Sequence, residues 1–438
     1  MKLTPVFALT LSLVFAVEVR SALVGTSPPA LSLTADRIAV LPADQREAWA
    51  GYLARSKKQM SDDRHFFVAE FKSSKLKTPI EAPGGHDAKS VPMNKPASWY
   101  GTAEAKRIAD IIVSFQTPAG GWSKNIDLAI HPRQPGERFS HDGGTPGQNS
   151  GDYDRPVDVQ WSYVGTFDND ATITELRYLA KVISALPVSE AVPYRAAFSR
   201  GLGYVLGSQY PNGGWPQVWP LEGGYHDAIT FNDGAMLHVL AFQGDVAGGK
   251  NEFNFVTPEE RERAVKSFQH GIACLLACQI TEDGRRTVWS QQNDMLTLQP
   301  CSARNYEMPA QASAESSEIT LYLMENKNPG PDQIVAIKAA AAWFKKTAIY
   351  GQTFTRVGNS GRVLVATPGA GPIWPRYVQI GTDRPIFGDR DKTIHDDVGD
   401  ISQERRNGYA WFNAAATRVL DHYGTWLNSV AKDASKRE

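Results

Sequence analysis

Two short segments combine acidic and amide residues just ahead of apolar helical patterns. "GTFDNDATIT" places Asp168, Asn169 and Asp170 side by side, and "ITFNDGAM" contains Asn232 and Asp233. Such residues commonly cap helices, because their side-chain oxygens accept hydrogen bonds from the first turn. Carboxylate and amide oxygens are also the ligands that calcium takes, in sets of about six to eight. Either segment alone is a weak signal, whereas two such segments that face each other would make a site for a hard cation.

Arginine is the second residue type that could do chemistry. Arg304 stands alone among small and apolar residues in "PCSARNYEMPAQ", and "RYVQIGTDRPIFGDRD" contains Arg376, Arg384 and Arg390 among aspartates. Alternating charges most often form structural ion pairs. Clustered arginines also bind carboxylates through two parallel hydrogen bonds. The sequence therefore leaves open a structural role and a role in holding an acidic ligand.

A repeated loop indicates the elements that position these residues. Gln116 opens "QTPAGGWSKN" and Gln209 opens "QYPNGGWPQVWP", each with a Gly-Gly pair and a Trp six positions on. Gln279, followed by Gly284, has the spacing of a third, more divergent copy. Glycine at this place is typical of a helix C-terminus, where the chain turns left-handed and the Trp can fold over the helix end.

Helix pairs that turn at one repeated loop predict a mainly α fold. We expect an α/α toroid of antiparallel helix pairs, with long loops gathered at one rim and minor β structure in "RVLVATP" and "RYVQI". Two helix starts stand out: Thr172 with Glu175 fits a capping box, and Thr257 is followed by Pro258 and Glu260.

Composition bounds the class of protein. The 438 residues carry a formal net charge of −1, so no overall field attracts nucleic acid or an anionic membrane. Residues 1–21 combine a lysine, a short apolar run and a small-residue end, which predicts a secretory signal peptide too short to span a membrane. We expect a soluble, monomeric protein that is secreted to the periplasm or the medium. Residues 22–97 read as an irregular, partly helical extension, and residues 98–438 as the toroid domain.

Three cysteines allow one disulfide in an oxidising compartment. Cys274 and Cys278 lie four residues apart on a helical pattern, and either of them could pair with Cys301. The sequence does not choose between these pairings. Metal binding by the cysteines is not expected, because no histidine lies at ligand spacing beside them.

Five segments, in order from about Trp99 to Phe412, together resemble the pectate lyases of polysaccharide lyase family ten. Each segment alone is unspecific, and residues 22–97 lie outside the resemblance. The segments are "WYGTAEAKRIADIIVSFQTPAGGWSKN", "GTFDNDATITELRYLA", "NGGWPQVWP" with "ITFNDGAM", "ARNYEMPA", and "RYVQIGTDRPIFGDRD" with "ERRNGYAWF".

The resemblance implies calcium-dependent β-elimination of α-1,4-polygalacturonate. Asp168 in "FDND" matches a family acid at the calcium and substrate site, with Asn169 beside it as a substrate contact. Asp233 in "TFND" matches a calcium ligand, and Arg304 in "ARNYE" matches the proposed catalytic base. Family members commonly have glycine or another small residue where this chain has Asp170, which leaves open whether Asp168 or Asp170 binds the metal.

Four further residues are implied in substrate binding. Arg390 in "GDRD" matches a residue that binds the substrate carboxylate, and Lys124 in "GGWSKN" and Arg376 are implied subsite contacts. Trp215, in the second repeated loop, is expected to stack on a sugar ring at the rim.

The implied reaction removes the proton at C5 of a uronate and expels the oxygen at C4. Calcium bound to the uronate carboxylate would withdraw charge and stabilise the enolate-like transition state. A guanidinium with a pKa above about 12 offers almost no free base at neutral pH. We therefore expect the surroundings of Arg304 to lower its pKa, and we expect an alkaline pH optimum.

Two other functions remain open at this point. A glycoside hydrolase on the same toroid would use Asp168 or Asp170 with Asp233, placed roughly 6 to 10 Å apart, and no calcium. A non-catalytic polysaccharide-binding protein would hold the polymer and release nothing. The products separate the three, because only a lyase yields unsaturated sugars that absorb in the ultraviolet.

Overall fold

The computed structural model describes most of the chain. The described residues are 23–85, 91–141, 151–156, 158, 161–249 and 251–434. The predicted signal peptide at residues 1–21 lies outside them. A search of this described part for a helix long and apolar enough to cross a membrane found none.

The N-terminal residues pack onto the rest of the molecule. They form strand β1 (Leu23–Thr26), the short helix α1 (Ala35–Ala39) and the long helix α2 (Ala43–Ser74). Trp49 and Tyr52 of α2 are buried in the main hydrophobic core. The extension therefore shares its core with the helical body of the molecule.

Four helix pairs make the body. In chain order their members are α3 (Ala103–Ser114) and α4 (Ile173–Ala185), α5 (Val192–Gly207) and α6 (Ala235–Ala247), α7 (Pro258–Ala277) and α8 (Ser313–Met324), and α9 (Pro331–Thr347) and α11 (Ala416–Ala434), with the short helix α10 (Gln403–Gly408) before α11. Helices α3, α5, α7 and α9 contact one another in sequence as an outer layer, and each packs on inner helices: α3 and α5 on α4, α7 on α6, and α9 on α8 and α11. This arrangement, together with the structural similarity reported below, confirms the predicted α/α toroid.

The repeated glutamines connect one helix pair to the next. In each repeat the side-chain Nε2 donates one hydrogen bond to a carbonyl of its own loop and one to a carbonyl of the following outer helix, at 2.8–3.0 Å. The acceptors are Gly120 and Ala197 for Gln116, Gly213 and Ser267 for Gln209, and Thr287 and Ala336 for Gln279. The third, divergent copy of the loop is therefore confirmed.

The loop tryptophans close the helix ends, as predicted. The indole N–H of Trp122 donates to the Ile112 carbonyl at 2.7 Å, and that of Trp289 donates to the Leu275 carbonyl at 2.7 Å. Gly120 turns left-handed with φ of 107°, and an added Cβ would approach the Arg200 carbonyl oxygen to 2.6 Å. Glycine is required there by both the backbone angle and the close contact.

Of the two predicted helix starts, one is confirmed and one is wrong. Thr257 and Glu260 form a complete capping box at α7, as predicted. At α4 the prediction is wrong, because the Thr172 hydroxyl donates to the Thr166 carbonyl at 2.8 Å and does not cap the helix. Thr172 instead ties the preceding turn to the first repeated loop, since its hydroxyl also accepts from the Trp122 N–H at 3.0 Å.

The β structure is short and lies between the helices. The longest pair is the hairpin of β7 (Gln352–Arg356) and β8 (Arg362–Ala366), which covers the predicted "RVLVA". The other strands are β2 (Ile229–Thr230), β3 (Thr281–Glu282), β4 (Arg285–Arg286), β5 (Gln292–Asn293), β6 (Gln311–Ala312), β9 (Trp374–Pro375), β10 (Tyr377–Val378), β11 (Phe387–Gly388), β12 (Thr393–His395) and β13 (Phe412–Asn413). Strand β12 lies between β1 and β11, so the N-terminal extension is hydrogen-bonded to the loop that carries Arg390.

The cysteines form no disulfide. Cys274, Cys278 and Cys301 are all free thiols, so the disulfide that the sequence allows is not formed. Burial and a hydrogen bond with the Cys274 side chain both raise the pKa of the Cys278 thiol, with the hydrogen bond as the larger cause. Cys278 is therefore a protonated core residue.

Candidate active site

Two similar turns face each other at the N-termini of inner helices. The 3₁₀ turn Asp168–Asp170 precedes α4, the 3₁₀ turn Asn232–Gly234 precedes α6, and the two turns are in contact. Their central residues, Asn169 and Asp233, have nearly the same left-handed φ of 51° and 50°. The turns are structural copies, and the fold brings together the acids that the sequence places 65 positions apart.

Asp168 is buried and only half satisfied. It is 5% exposed, and its Oδ2 accepts a hydrogen bond from Lys124 Nζ at 2.7 Å. Its Oδ1 has no hydrogen-bond partner among the described residues. The same Lys124 Nζ lies 3.6 Å from the centre of the Tyr163 ring. A buried carboxylate oxygen without a donor is a place where a cation or a ligand donor fits.

Asp233 lies in the field of Asp168. Removal from water raises the pKa of the Asp233 carboxyl, and the Asp168 carboxylate raises it further, while Arg376 and Arg304 oppose the shift. The Asn232 amide donates to Asp233 Oδ2 at 2.7 Å. A cation between the two carboxylates would relieve this effect on Asp233.

The donor set fits calcium in part. Among the residues that the structure describes, no group of three or more His, Cys, Asp or Glu side chains is placed to hold a metal ion. Asp168 and Asp233 would supply two carboxylates, so most of the roughly six to eight oxygens that calcium takes must come from amides, water or substrate. Such an open site suits a metal that is shared between protein and an acidic ligand.

The surroundings of Asp170 differ from those of Asp168. Asp170 Oδ1 lies against Nδ1 of His238, which is charged only when the imidazole is protonated, and the Asp170 side chain is 57% exposed. Asn169, between the two acids, donates from Nδ2 to Asn125 Oδ1 at 3.2 Å. Asp170 therefore already has a partner on α6, whereas Asp168 keeps an oxygen free of described donors.

A cavity adjoins this turn. It measures about 270 Å³ and is lined by Lys124, Asn125, Asn169 and Asp170, with Glu175 among the other lining residues. Burial raises the pKa of the Glu175 carboxyl to about 7. Two of the predicted substrate contacts, Lys124 and Asn169, thus border one open space beside Asp168.

Arg304 is held by a carboxylate three residues further on. Its Nε and Nη2 donate to the two oxygens of Glu307 at 2.9 and 2.6 Å. Glu307 is buried, whereas the Arg304 side chain is 36% exposed. The guanidinium also lies 5.1 Å from the Tyr306 ring and 5.9 Å from the Tyr409 ring. The geometry fixes the direction of Arg304 and leaves one side of it accessible.

The pKa of Arg304 moves in the opposite direction to the one expected from sequence. Burial acts to lower it, but the Glu307 carboxylate outweighs burial, and the pKa is raised above the ordinary arginine value. For Glu307, burial acts to raise the pKa, and Arg304 outweighs it to bring the pKa down to about 2. Sequence reasoning missed Glu307, although an acid three residues after an isolated arginine was a visible signal.

Arg376 and Arg390 occupy different places. Arg376 is 15% exposed, and its guanidinium pairs with Glu315 of α8 and donates to Asn232 Oδ1 at 3.2 Å. It therefore fastens the Asn232–Gly234 turn. Arg390 is 55% exposed and pairs loosely with Glu404 at 3.1 Å. A surface pair of this kind contributes little and exchanges readily for another anion.

Three guanidinium groups surround one ring. Arg304, Arg390 and Arg405 lie 5.1, 5.6 and 4.4 Å from the centre of the Tyr306 ring. The tyrosine holds these cations close together. Glu307 and Glu404 offset part of their positive charge, and the remainder lies on the Arg304 side of the site. Such an arrangement favours a ligand with carboxylate groups.

The expectation for Trp215 is corrected by its position. Trp215 is 1% exposed, and its indole N–H donates to the Val205 carbonyl at 2.9 Å. Its ring closes the end of α5 and has no face open to a sugar. Every Trp in the chain except Trp99 is buried, so the high Trp count reflects the core. The aromatic rings at the site belong to tyrosines.

Comparison with known proteins adds to this geometry. A family model described as pectic acid lyase matches residues 116–420. The family 10 polysaccharide lyase from Cellvibrio cellulosa is 28% identical, covers 77% of this chain and 98% of its own, and has a TM-score of 0.61. An aspartate-to-alanine mutant of that enzyme, in complex with trigalacturonic acid, gives the same identity and TM-score and covers 77% of this chain and 99% of its own. A search of curated proteins gave no match.

Proposed function

The chain belongs to the pectic acid lyase family and is a pectate lyase, and on that premise we propose that it cleaves polygalacturonate by calcium-dependent β-elimination after export from the cell. One observation carries the proposal: a buried, half-satisfied Asp168 faces Asp233, with the Arg304 guanidinium within the same electrostatic field. The similar mutant structure with trigalacturonic acid supports the choice of substrate. The apolar N-terminal run supports export.

Asp168 and Asp233 would hold the calcium ion. When bound, the ion would withdraw charge from the uronate carboxylate and so acidify the C5 proton. Asp168 is preferred to Asp170 because its Oδ1 has no donor among the described residues, whereas Asp170 pairs with His238. Lys124 fixes the orientation of Asp168 through the hydrogen bond to Oδ2.

Arg304 is proposed as the base that takes the C5 proton. The C5–H bond breaks, its electron pair forms the C4–C5 double bond, and the glycosidic oxygen at C4 leaves and takes a proton from water. Glu307 holds the guanidinium by two hydrogen bonds, and the accessible side of Arg304 would face the substrate. Since Glu307 raises the pKa of Arg304, the neutral base is scarce at neutral pH and turnover should increase well into the alkaline range.

Cationic residues would bind the substrate carboxylates. Arg390 is exposed and can exchange Glu404 for a uronate. Lys124 and Asn169 border the cavity beside Asp168 and suit the neighbouring sugar unit. Arg376 keeps the Asn232–Gly234 turn in place through its hydrogen bond to Asn232, and it adds positive charge beside that turn.

An ultraviolet assay with polygalacturonate tests the proposal. We expect an unsaturated product in the presence of calcium and none after a chelator has been added. Saturated reducing ends without ultraviolet absorption would indicate a hydrolase and overturn the lyase mechanism. Binding without any product would indicate a carbohydrate-binding protein.

A further inference from the structure

A second cavity lies beside the candidate active site. It measures about 260 Å³, and its lining includes Arg64 of α2, Arg155, Trp161, Glu222 and His226. Arg64 precedes the segment that matches the family model, residues 116–420. The N-terminal extension thus forms part of this wall, and the cavity is not a feature of the matched region alone.

Three buried polar atoms in this lining have no partner. Among the described residues, nothing hydrogen-bonds to Nε1 of Trp161, Nε2 of His226 or Oε1 of Glu222. Trp161 is 5% and His226 7% exposed, so water outside the cavity does not reach them freely. Folded proteins pair most of their buried polar atoms, and three unpaired ones in the lining of one cavity fit a ligand with several hydrogen-bonding groups.

The deep part of the cavity is uncharged near neutral pH. Burial lowers the pKa of His226 to about 4, and burial raises the pKa of Glu222 to about 8. The imidazole is then neutral and the carboxyl is mostly protonated, so both can exchange hydrogen bonds with hydroxyl groups. Arg155 is exposed, and Arg64 forms a 3.5 Å ion pair with Asp158. Hydroxyl-binding groups inside and guanidinium groups at the lining match a sugar that carries one carboxylate.

The cavity is connected to the residues proposed for catalysis. The His226 ring packs edge-on against Tyr163 at 4.8 Å, and Tyr163 contacts Lys124 on its ring face. The Tyr153 N–H, also at the cavity, donates to Asn305 Oδ1 at 3.0 Å, one residue after Arg304. A polymer bound at Arg304 therefore passes close to this cavity.

We propose that the cavity is a distal subsite that binds one galacturonate unit of the chain being cleaved. The inference rests on the proposed function, because that function supplies the polymer. A cavity below the roughly 300–1,000 Å³ of drug-sized ligand sites has room for one sugar unit. The sugar hydroxyls would pair with Trp161, His226 and Glu222, and the carboxylate would pair with Arg155.

A chain-length series tests the subsite. Trp161→Phe removes one N–H donor and Arg155→Ala removes one guanidinium. Trp343→Phe is the matched control. Trp343 lies on α9, is 4% exposed, and its Nε1 also lacks a described hydrogen-bond partner. Arg263→Ala, on an exposed position of α7, is the second control. kcat/KM is measured on galacturonate oligomers from three to about eight units, where the wild type should show a step at the length that first reaches the cavity.

We expect each cavity variant to lose about tenfold in kcat/KM on the long oligomers, which is the cost of one lost hydrogen bond to a charged or buried group. On the shortest cleaved oligomer, each variant should match wild type. The controls should keep the step. An unchanged step, or an equal loss at every length, would overturn the subsite. The equal loss would mean that these residues position the active site instead.

Binding of monomeric galacturonic acid separates this inference from the proposed function. Calorimetry should show saturable binding to wild-type protein, weaker binding to both cavity variants, and weaker binding of neutral galactose. This outcome would support the subsite even in a protein that failed to cleave polygalacturonate, which would refute only the lyase mechanism. No binding, or equal binding of galactose, would overturn the assignment of a uronate.

Discussion

Replacing Glu307 by Gln should make the enzyme active at lower pH. Glu307 is the carboxylate that keeps Arg304 protonated, through contacts of 2.9 and 2.6 Å. The Glu307→Gln variant removes the negative charge and keeps one oxygen that accepts from the guanidinium. Arg304 therefore stays oriented while its pKa decreases.

The size of the shift follows from the geometry. Two unit charges about 4 Å apart interact by about 4 kcal/mol at an effective dielectric constant of about 20, which corresponds to roughly 3 pKa units. The Arg304 side chain is 36% exposed, and solvent screening reduces this value. We expect about 1 to 2 units. Removing an anion favours the neutral guanidine, so the alkaline rise in rate should move to lower pH by that amount.

The assay is the pH dependence of kcat for polygalacturonate at saturating calcium. At a fixed pH on the rising limb, the variant should turn over about ten times faster or more than wild type. Glu262→Gln is the matched control, because Glu262 pairs with Lys266 on the exposed face of α7, at 2.7 Å. That substitution should leave the profile unchanged.

One result would refute the reasoning. If the Glu307→Gln variant is folded, as judged by thermal denaturation, and active with an unmoved limb, then the deprotonation of Arg304 does not limit the rate. The base would then have to be sought elsewhere at the site. A limb that moves to higher pH would contradict the electrostatic argument itself.

Three further predictions follow from the site and the core. Arg304→Lys should lose nearly all turnover and still bind polygalacturonate in a pull-down with the insoluble polymer, and turnover close to wild type would exclude Arg304 as the base. Asp233→Ala should sharply increase the calcium concentration needed for half-maximal activity, and an unchanged titration would remove Asp233 from the metal site. Trp215→Phe should lower the free energy of unfolding by about 1–3 kcal/mol, because the hydrogen bond to Val205 and some packing are lost. KM should not change. A higher KM at unchanged stability would restore a role for Trp215 in substrate binding.

The fold could be predicted from the sequence because its repeat is visible in it. The spacing from Gln279 to Gly284 was enough to identify the third loop, and the structure shows why the glutamine is retained. Its amide makes two hydrogen bonds, one to its own loop and one to the next outer helix. The Thr172 start was misread because its hydroxyl serves a partner fifty positions earlier, Trp122, and sequence patterns show only near neighbours.

The residues of the site could be identified by type, while their surroundings could not. Trp215 looks the same in sequence whether it packs in the core or stacks on a sugar, and only burial decides. The sign of the pKa shift at Arg304 depends on the distance to Glu307, and a spacing of three residues in a loop does not fix that distance. Which carboxylate oxygen of Asp168 lacks a described donor likewise depends on Lys124, which lies 44 positions away.

The glutamine bonds between successive helix pairs have a mechanical consequence. Each of them anchors a rim loop to a helix that belongs to the following pair, so the loop with Lys124 cannot shift without displacing α5. Heating should therefore melt the ring in one concerted step, although arrays of stacked repeats can unravel one unit at a time. The alignment of the acids across the cleft would persist until that single transition and disappear with it.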